Sequence, residues 1–318
     1  MNKETKLSVN QPTLDTTLTL ALTQASIAAY ADYMNQPIVP PPNYKFVARW
    51  TGWDAILFLG SVEKYGLLFE SSVDPGTYIF AFRGTDSDMD IYEDVHFETV
   101  DFVPSAGSVT PTPHVAGGFY GVYNSKGGDM VQSMREQLFA LLTQYSPKQI
   151  YITGHSLGAA LSQLFTLDLA ISKPTSVPVL NINFASPMVG TSNWKTAYDA
   201  NVPAANSIRC YNYWDYVPSL PPSEFLGYTS VGGGFRTAFY VKGEWFVHEL
   251  SRHSIVNLQT VLTHALPLNP QEWTGTFPDY VDPSRTMQSN DPPSTAKVAW
   301  ADKVRELKAF EEKVLEAV

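Results

Sequence analysis

A serine stands between two glycines in Gly154-His155-Ser156-Leu157-Gly158, where the run Tyr151 to Thr153 gives way to alanines and leucines. A hydroxyl in that setting can act as an acyl-accepting nucleophile. A strand-to-helix turn lifts it from the backbone, flanking glycines relieve the crowding, and the helix N-terminus offers unpaired N–H groups and a positive dipole end to an oxyanion. The same pentapeptide can equally be an inert glycine-containing loop, so the chemistry depends on a base and an acid elsewhere. With a nucleophile of this kind they follow the serine in the order acid, then histidine. Downstream lie His248, His253 and His264, whereas His96 and His114 precede the serine and His155 adjoins it with its side chain directed away. Asp215 follows the apolar run Ile208 to Tyr213, and functional groups of a parallel sheet emerge at the carboxyl ends of strands. Asp168 lies within the helix after the serine and points elsewhere.

The elements that must hold these groups are legible as periodicity. Gln149 to Thr153 reads as a strand and Leu157 to Ala170 as a helix, opened by residues small enough to pack hard against that strand. Thr16 to Tyr33 predicts an opening helix, closed before Pro37 and Pro40-Pro41-Pro42. The runs FVARW, AILFLG, YGLLFESS and TYIFAF, punctuated by Asp74-Pro75-Gly76, predict strands with hairpin turns. A helix over Met130 to Tyr145 and strands over Val179 to Phe184 and Ile208 to Tyr213 complete an alternation that argues for right-handed βαβ units and a mostly parallel sheet. The expected organisation is one domain over 1–318. In its tail, Thr295 to Val318, the residues Val304, Leu307, Phe310 and Val314 line one face of an amphipathic helix that docks on the body.

Composition narrows the function. In 318 residues, Lys+Arg 21 against Asp+Glu 31 gives a net charge of −10 with no basic block, so nucleic acid is not an expected partner. The one cysteine, Cys210, excludes a disulfide framework and a thiolate metal cluster, and its apolar neighbours predict a buried strand thiol. His248 and His253 are five residues apart, which on a helix turns them about 140° from each other, so they do not form the metal pair of an i, i+4 spacing. No metal or other cofactor is expected. The N-terminus makes a poor signal peptide and no apolar stretch is long enough to span a bilayer, so the expectation is a cytoplasmic location or signal-independent export.

Five ordered segments, FRGTDS (82–87), GHSLG (154–158), FASPMVG (184–190), DYVPSLPP (215–222) and SIVNLQTVLTH (254–264), resemble the class 3 lipases, fungal triacylglycerol lipases and their bacterial relatives. The resemblance runs from about Gln24 to Leu268. It implies an α/β-hydrolase fold, with a mostly parallel central sheet, helices on both faces and a short lid helix. It also implies Ser156 as nucleophile, Asp215 as the orienting acid, His264 as the base in preference to His253, and the N–H groups of Thr85 and Leu157 as the oxyanion hole. The residues themselves agree in part: Thr85 ends a strand, Leu157 opens a helix, and Asp215 sits at a strand's carboxyl end. Ala185, Met188 and Ile91 stand where the family often has Gly, a basic residue and Trp.

Met89, Ile91, Tyr92 and Val95, interleaved with acids, form a short amphipathic segment after the oxyanion loop. In the resembling lipases a mobile lid occupies that position, here 87–95, with Ile91 and Tyr92 toward lipid or substrate; an ordinary surface helix is the alternative. The loop Asp101 to Pro113 would supply hinge freedom, and Arg83 is expected in a structural ion pair that holds the oxyanion loop. The resulting expectation is a serine carboxylic-ester hydrolase acting on a lipid or small ester with transient lipid-interface contact. Triacylglycerol is the first substrate and phospholipid or phenolic ester the alternative; a non-catalytic binding domain is the other class.

Overall fold

The computed structural model describes residues 12–54, 60–85, 97–172, 176–212, 215, 217–221, 227–237, 239, 252–269 and 271. The expected lid at 87–95, with Ile91 and Tyr92, the expected helix at 295–318 and His248 lie outside the described residues.

The chain opens with α1 (Thr16–Tyr33), capped by Asp15, whose carboxylate accepts the Leu18 N–H at 2.7 Å. Three strands follow, β1 (Tyr44–Asp54), β2 (Ser61–Ser71) and β3 (Thr77–Phe82), each antiparallel to the one before. At the turn into β3, Gly76 takes φ +95°, a conformation that disfavours any residue with a Cβ. The parallel part of the sheet consists of β3, then β6 (Gln149–Gly154), β7 (Val179–Phe184), β9 (Ser207–Asn212) and β11 (Gly233–Thr237). The sheet order is β1-β2-β3-β6-β7-β9-β11.

Both faces of this sheet are covered, which is why its central strands read as continuous apolar runs. Ile79 and Ala81 of β3 face α1 through Leu22, Ala25 and Ala28, while Phe80 and Phe82 face the other way. That other layer holds α2 (Gly117–Asn124), α3 (Met134–Tyr145) and α4 (Leu157–Ser172), with Phe119, Leu138, Leu161 and Phe165 in the shared core. Beside α1 lies α6 (Ile255–Ala265), packed through Leu258 and Leu262. The expected helix at 130–145 begins later, at Met134, because Ser133 and Glu136 close a capping box there.

A four-stranded antiparallel sheet, ordered β10-β8-β5-β4, was not legible: β4 (Thr99–Asp101), β5 (His114–Ala116), β8 (Gly190–Thr191) and β10 (Tyr228–Thr229) have two or three residues each, too few to show a period. The loop 101–113 is also less free than a hinge. Asp168 of α4, fully buried, accepts the Ser105 N–H at 2.6 Å and the Tyr123 hydroxyl at 2.9 Å, and Ser172 accepts the Ala106 N–H at 2.9 Å. After β8 comes α5 (Ser192–Asn201), whose Trp194 packs edge-on against Phe102 of that loop.

Candidate active site

Ser156 is the second of the two residues between β6 and α4, directly before the helix, and its φ is +58°. A non-glycine residue in this region is strained and persists only where its surroundings over-determine it. Here they do. The Ser156 N–H is bonded to the Phe184 carbonyl at 3.0 Å, and its own carbonyl receives the Ala159 N–H at 2.9 Å in the first turn of α4. Strand and helix cross so closely that a Cβ on Gly158 would collide with the Phe82 and Arg83 carbonyls, and one on Gly154 would collide with the Gly158 backbone. The two flanking glycines are therefore steric requirements of the turn.

A third glycine brings the expected oxyanion loop to the serine. Gly84 follows β3, and a Cβ there would lie 2.9 Å from Ser156 Cβ and 2.8 Å from the His155 carbonyl, besides striking the Tyr30 hydroxyl. Thr85 comes next and Leu157 follows the serine, so both expected oxyanion donors flank residues in direct contact. Ser156 Oγ and Thr85 Oγ1 are buried without a hydrogen-bond partner among the described residues. Neither Thr85 nor Leu157 uses its N–H in a hydrogen bond among those residues. Buried polar groups are normally satisfied, so groups left unspent among the described residues beside Ser156 fit a site for a ligand or a reaction.

Asp215 comes three residues after the end of β9, the expected carboxyl end of a strand. Its Oδ1 accepts the Val217 N–H at 3.0 Å, and its Oδ2 accepts the Nδ1–H of His253 at 2.7 Å. Both residues are almost fully buried, Asp215 at 2% and His253 at 3% exposure. The carboxylate fixes the tautomer of His253, leaving Nε2 as the acceptor of the neutral ring. Asn212 anchors the segment that carries the histidine, because its side-chain amide donates to the carbonyls of Phe239 at 2.7 Å and Arg252 at 3.2 Å.

The partner of Asp215 is thus His253, and the expected His264 is corrected by position. His264 lies in the last turn of α6 on an exposed face, roughly 13 Å of helix axis from the end next to His253. A helix that follows a parallel strand begins near that strand's carboxyl end and runs back toward its amino end, so the head of α6 is near the site and its tail is not. The signal was in the sequence: Ser254 is an N-cap, its hydroxyl accepting the Asn257 N–H, which puts His253 just ahead of the helix.

His155 holds His253 beside the elbow. Its Nε2 donates to the His253 carbonyl at 2.7 Å, its Nδ1 accepts the Tyr30 hydroxyl at 2.9 Å, and the two imidazoles lie 4.6 Å apart. Burial foremost, and the neighbouring His253 next, hold the His155 pKa well below its ordinary 6.5, so it stays neutral. Among the described residues Arg83 has no carboxylate partner that would make the expected ion pair; its guanidinium lies between the rings of Tyr33 and Tyr65. Cys210 is the expected buried strand thiol, with its pKa pushed up by burial alone.

A strained serine at a strand-to-helix turn of a mostly parallel sheet, a carboxylate at a strand's carboxyl end and helices on both faces define an α/β-hydrolase fold. The family comparison is more specific. Residues 79–225 match the family described as Lipase (class 3), and over that stretch the chain is similar to it. Phospholipase A1-II 3 of Oryza sativa subsp. indica is 34% identical over 209 residues, covering 59% of this chain and 48% of that protein. The chain spans about half the length of the curated relatives it matches. Among solved structures, the Lip2 lipase of Yarrowia lipolytica superposes with a TM-score of 0.56 at 21% identity, covering 74% of this chain and 83% of that one. The lipase of Rhizopus microsporus var. chinensis gives 0.55 at 24% identity, covering 80% and 89%. At these identities the two structures speak for the fold.

Proposed function

We propose that the protein hydrolyses carboxylic esters of lipids through an acyl-enzyme on Ser156. His253 is the general base that takes the serine proton and returns it to the leaving alcohol. Asp215 holds that imidazole in the required tautomer, and the N–H groups of Thr85 and Leu157 receive the oxyanion. The observation that carries this reading is the strained Ser156, its hydroxyl unpartnered among the described residues, on an elbow whose neighbour, His155, binds the carbonyl of the histidine paired to Asp215.

Triacylglycerol is the substrate that the family resemblance implies. A phospholipid acyl ester is the second reading, supported by the 34% identical relative that bears the name phospholipase A1. Ser156 is fully buried, which fits a site that is closed in water and reached through transient contact with a lipid interface. Among the described residues no helix is long and apolar enough to cross a membrane.

Labelling with an alkyl organophosphonate, followed by peptide mapping, tests the nucleophile: the adduct is expected on Ser156 and its absence overturns the reading. Fatty-acid release from emulsified triolein and from phosphatidylcholine vesicles, measured side by side, then decides between the two lipid classes.

A further inference from the structure

Arg83 is 2% exposed and, among the described residues, has no carboxylate beside it. Burying a cation is costly, and a surface arginine would satisfy the fold at less expense. What the guanidinium does instead is specific. Tyr33 and Tyr65 flank it at 3.8 Å and 4.2 Å to their ring centroids, Nε donates to the Lys64 carbonyl at 2.7 Å, and Nη1 donates to the Gly84 carbonyl at 2.8 Å. Tyr65 is itself held, its hydroxyl donating to Asp54 at 2.6 Å.

The Gly84 carbonyl belongs to the same peptide unit as the Thr85 N–H. In a trans peptide the C=O and N–H point in opposite directions, so fixing one fixes the other. With the carbonyl turned onto Arg83, the Thr85 N–H is turned away from the guanidinium, in a loop whose Gly84 touches Ser156. A charge-assisted hydrogen bond to the carbonyl also polarises the peptide and makes its N–H a stronger donor.

We propose that Arg83 is a positioning residue for catalysis, whose Nη1 bond to the Gly84 carbonyl aims and polarises the Thr85 N–H of the oxyanion hole. This rests on the ester-hydrolase reading and deepens it. A glycine-preceded loop residue would otherwise rotate its peptide freely, and a donor that must reorganise during the reaction loses much of its advantage. The two stacked tyrosines supply the rigidity: cation–π contact on both faces leaves the guanidinium only in-plane hydrogen bonds.

The test uses the full chain and a soluble short-chain p-nitrophenyl ester, with Arg83→Gln and Arg83→Lys variants. Arg83→Gln is expected to lose about 10²-fold in kcat, as for one oxyanion donor, with KM within about twofold. Arg83→Lys, which keeps the charge but not the fork, is expected between that variant and the parent. Inhibition by an alkyl trifluoromethyl ketone, whose hemiketal carries the oxyanion, is expected to weaken by the same factor as kcat. Unchanged kcat, or a loss carried by KM with ketone affinity unaltered, overturns the proposal. Should neither variant fold, Tyr33→Leu decides: it loosens one face of the guanidinium and is expected to lower kcat several-fold at constant KM, and parental kcat overturns the proposal. Failure of the underlying reading is seen separately, as a parent protein that neither turns over the ester nor binds the ketone.

Discussion

Asp215 and His253 are joined by a 2.7 Å hydrogen bond from Nδ1–H to carboxylate, with both side chains almost wholly removed from water. In that setting the carboxylate sets which ring nitrogen carries the proton. Asp215→Asn can be accommodated without displacing the ring, yet its amide can present an N–H to Nδ1 and drive the proton onto Nε2. The base would then face the serine with its lone pair occupied. We expect kcat to fall by about 10³–10⁴ with little change in thermal stability. Steady-state kinetics on a soluble ester with a parallel melt checks this, and retention of a tenth of the activity would exclude the proposed role.

The second prediction separates two histidines. His253→Ala removes the partner of Asp215 and is expected to abolish turnover, whereas His264→Ala changes an exposed side chain at the far end of α6 and is expected to leave kcat/KM within about twofold. If position 264 proves the sensitive one, the geometry described for the site does not operate in solution.

How much of this was readable beforehand follows from element length and context. The bounds of α1 and β7 were legible because long apolar periods between proline or glycine breaks admit one reading. Ser156 and Asp215 were legible because a strand-to-helix turn and a strand's carboxyl end are local facts of sequence. The choice of His253 required knowing which end of α6 faces the site, a tertiary relationship that no local period carries. From sequence Arg83 suggests half of an ion pair, because its neighbours in sequence say nothing of Tyr33, Tyr65 and the Lys64 carbonyl, which only folding brings around it.

Gly158→Ala probes the elbow's packing. The added Cβ would meet the Phe82 carbonyl oxygen at 2.5 Å and the Arg83 carbonyl carbon at 2.6 Å, both backbone groups of a buried strand end that cannot swing aside. Overpacking of this kind costs about 1–3 kcal/mol or more. The same shift would move Arg83 and Ser156 apart, so kcat should fall as well. Chemical denaturation together with kinetics checks both, and an unperturbed midpoint would mean that β3 and α4 are less tightly crossed than described.

A pH dependence of stability follows from His155. Its folded pKa is held well below the ordinary 6.5 by burial and by His253, while Tyr30 and the His253 carbonyl bond its neutral ring. Above 6.5 neither state binds the proton; below it the unfolded chain does and the folded protein does not. The contribution is therefore fully present at neutral and higher pH and is lost as pH falls, at up to about 1.4 kcal/mol per pH unit until the folded pKa is reached. Urea midpoints measured from pH 7.5 to about 5 should fall more steeply for the parent than for His155→Gln, which cannot titrate. Equal slopes would remove His155 as the cause.

Thr85 separates a donor that serves the reaction from one that serves the fold. Its Oγ1 is buried and makes no hydrogen bond among the described residues, so within them the hydroxyl adds a desolvation penalty and no bond. Thr85→Val keeps the shape and removes that penalty, so the variant should be as stable as the parent or more stable by about 1 kcal/mol. If the hydroxyl adds a hydrogen bond to the oxyanion beside the N–H, the same variant should lose up to about 10²–10³ in kcat with KM little changed. Thr85→Ser keeps the hydroxyl and should stay within a few-fold of the parent. A melt and a kcat comparison of the three proteins therefore reads two quantities that move in opposite directions. Equal kcat for the valine and serine variants would leave the hole to the backbone alone, and a large loss of stability in Thr85→Val would make the threonine a structural residue.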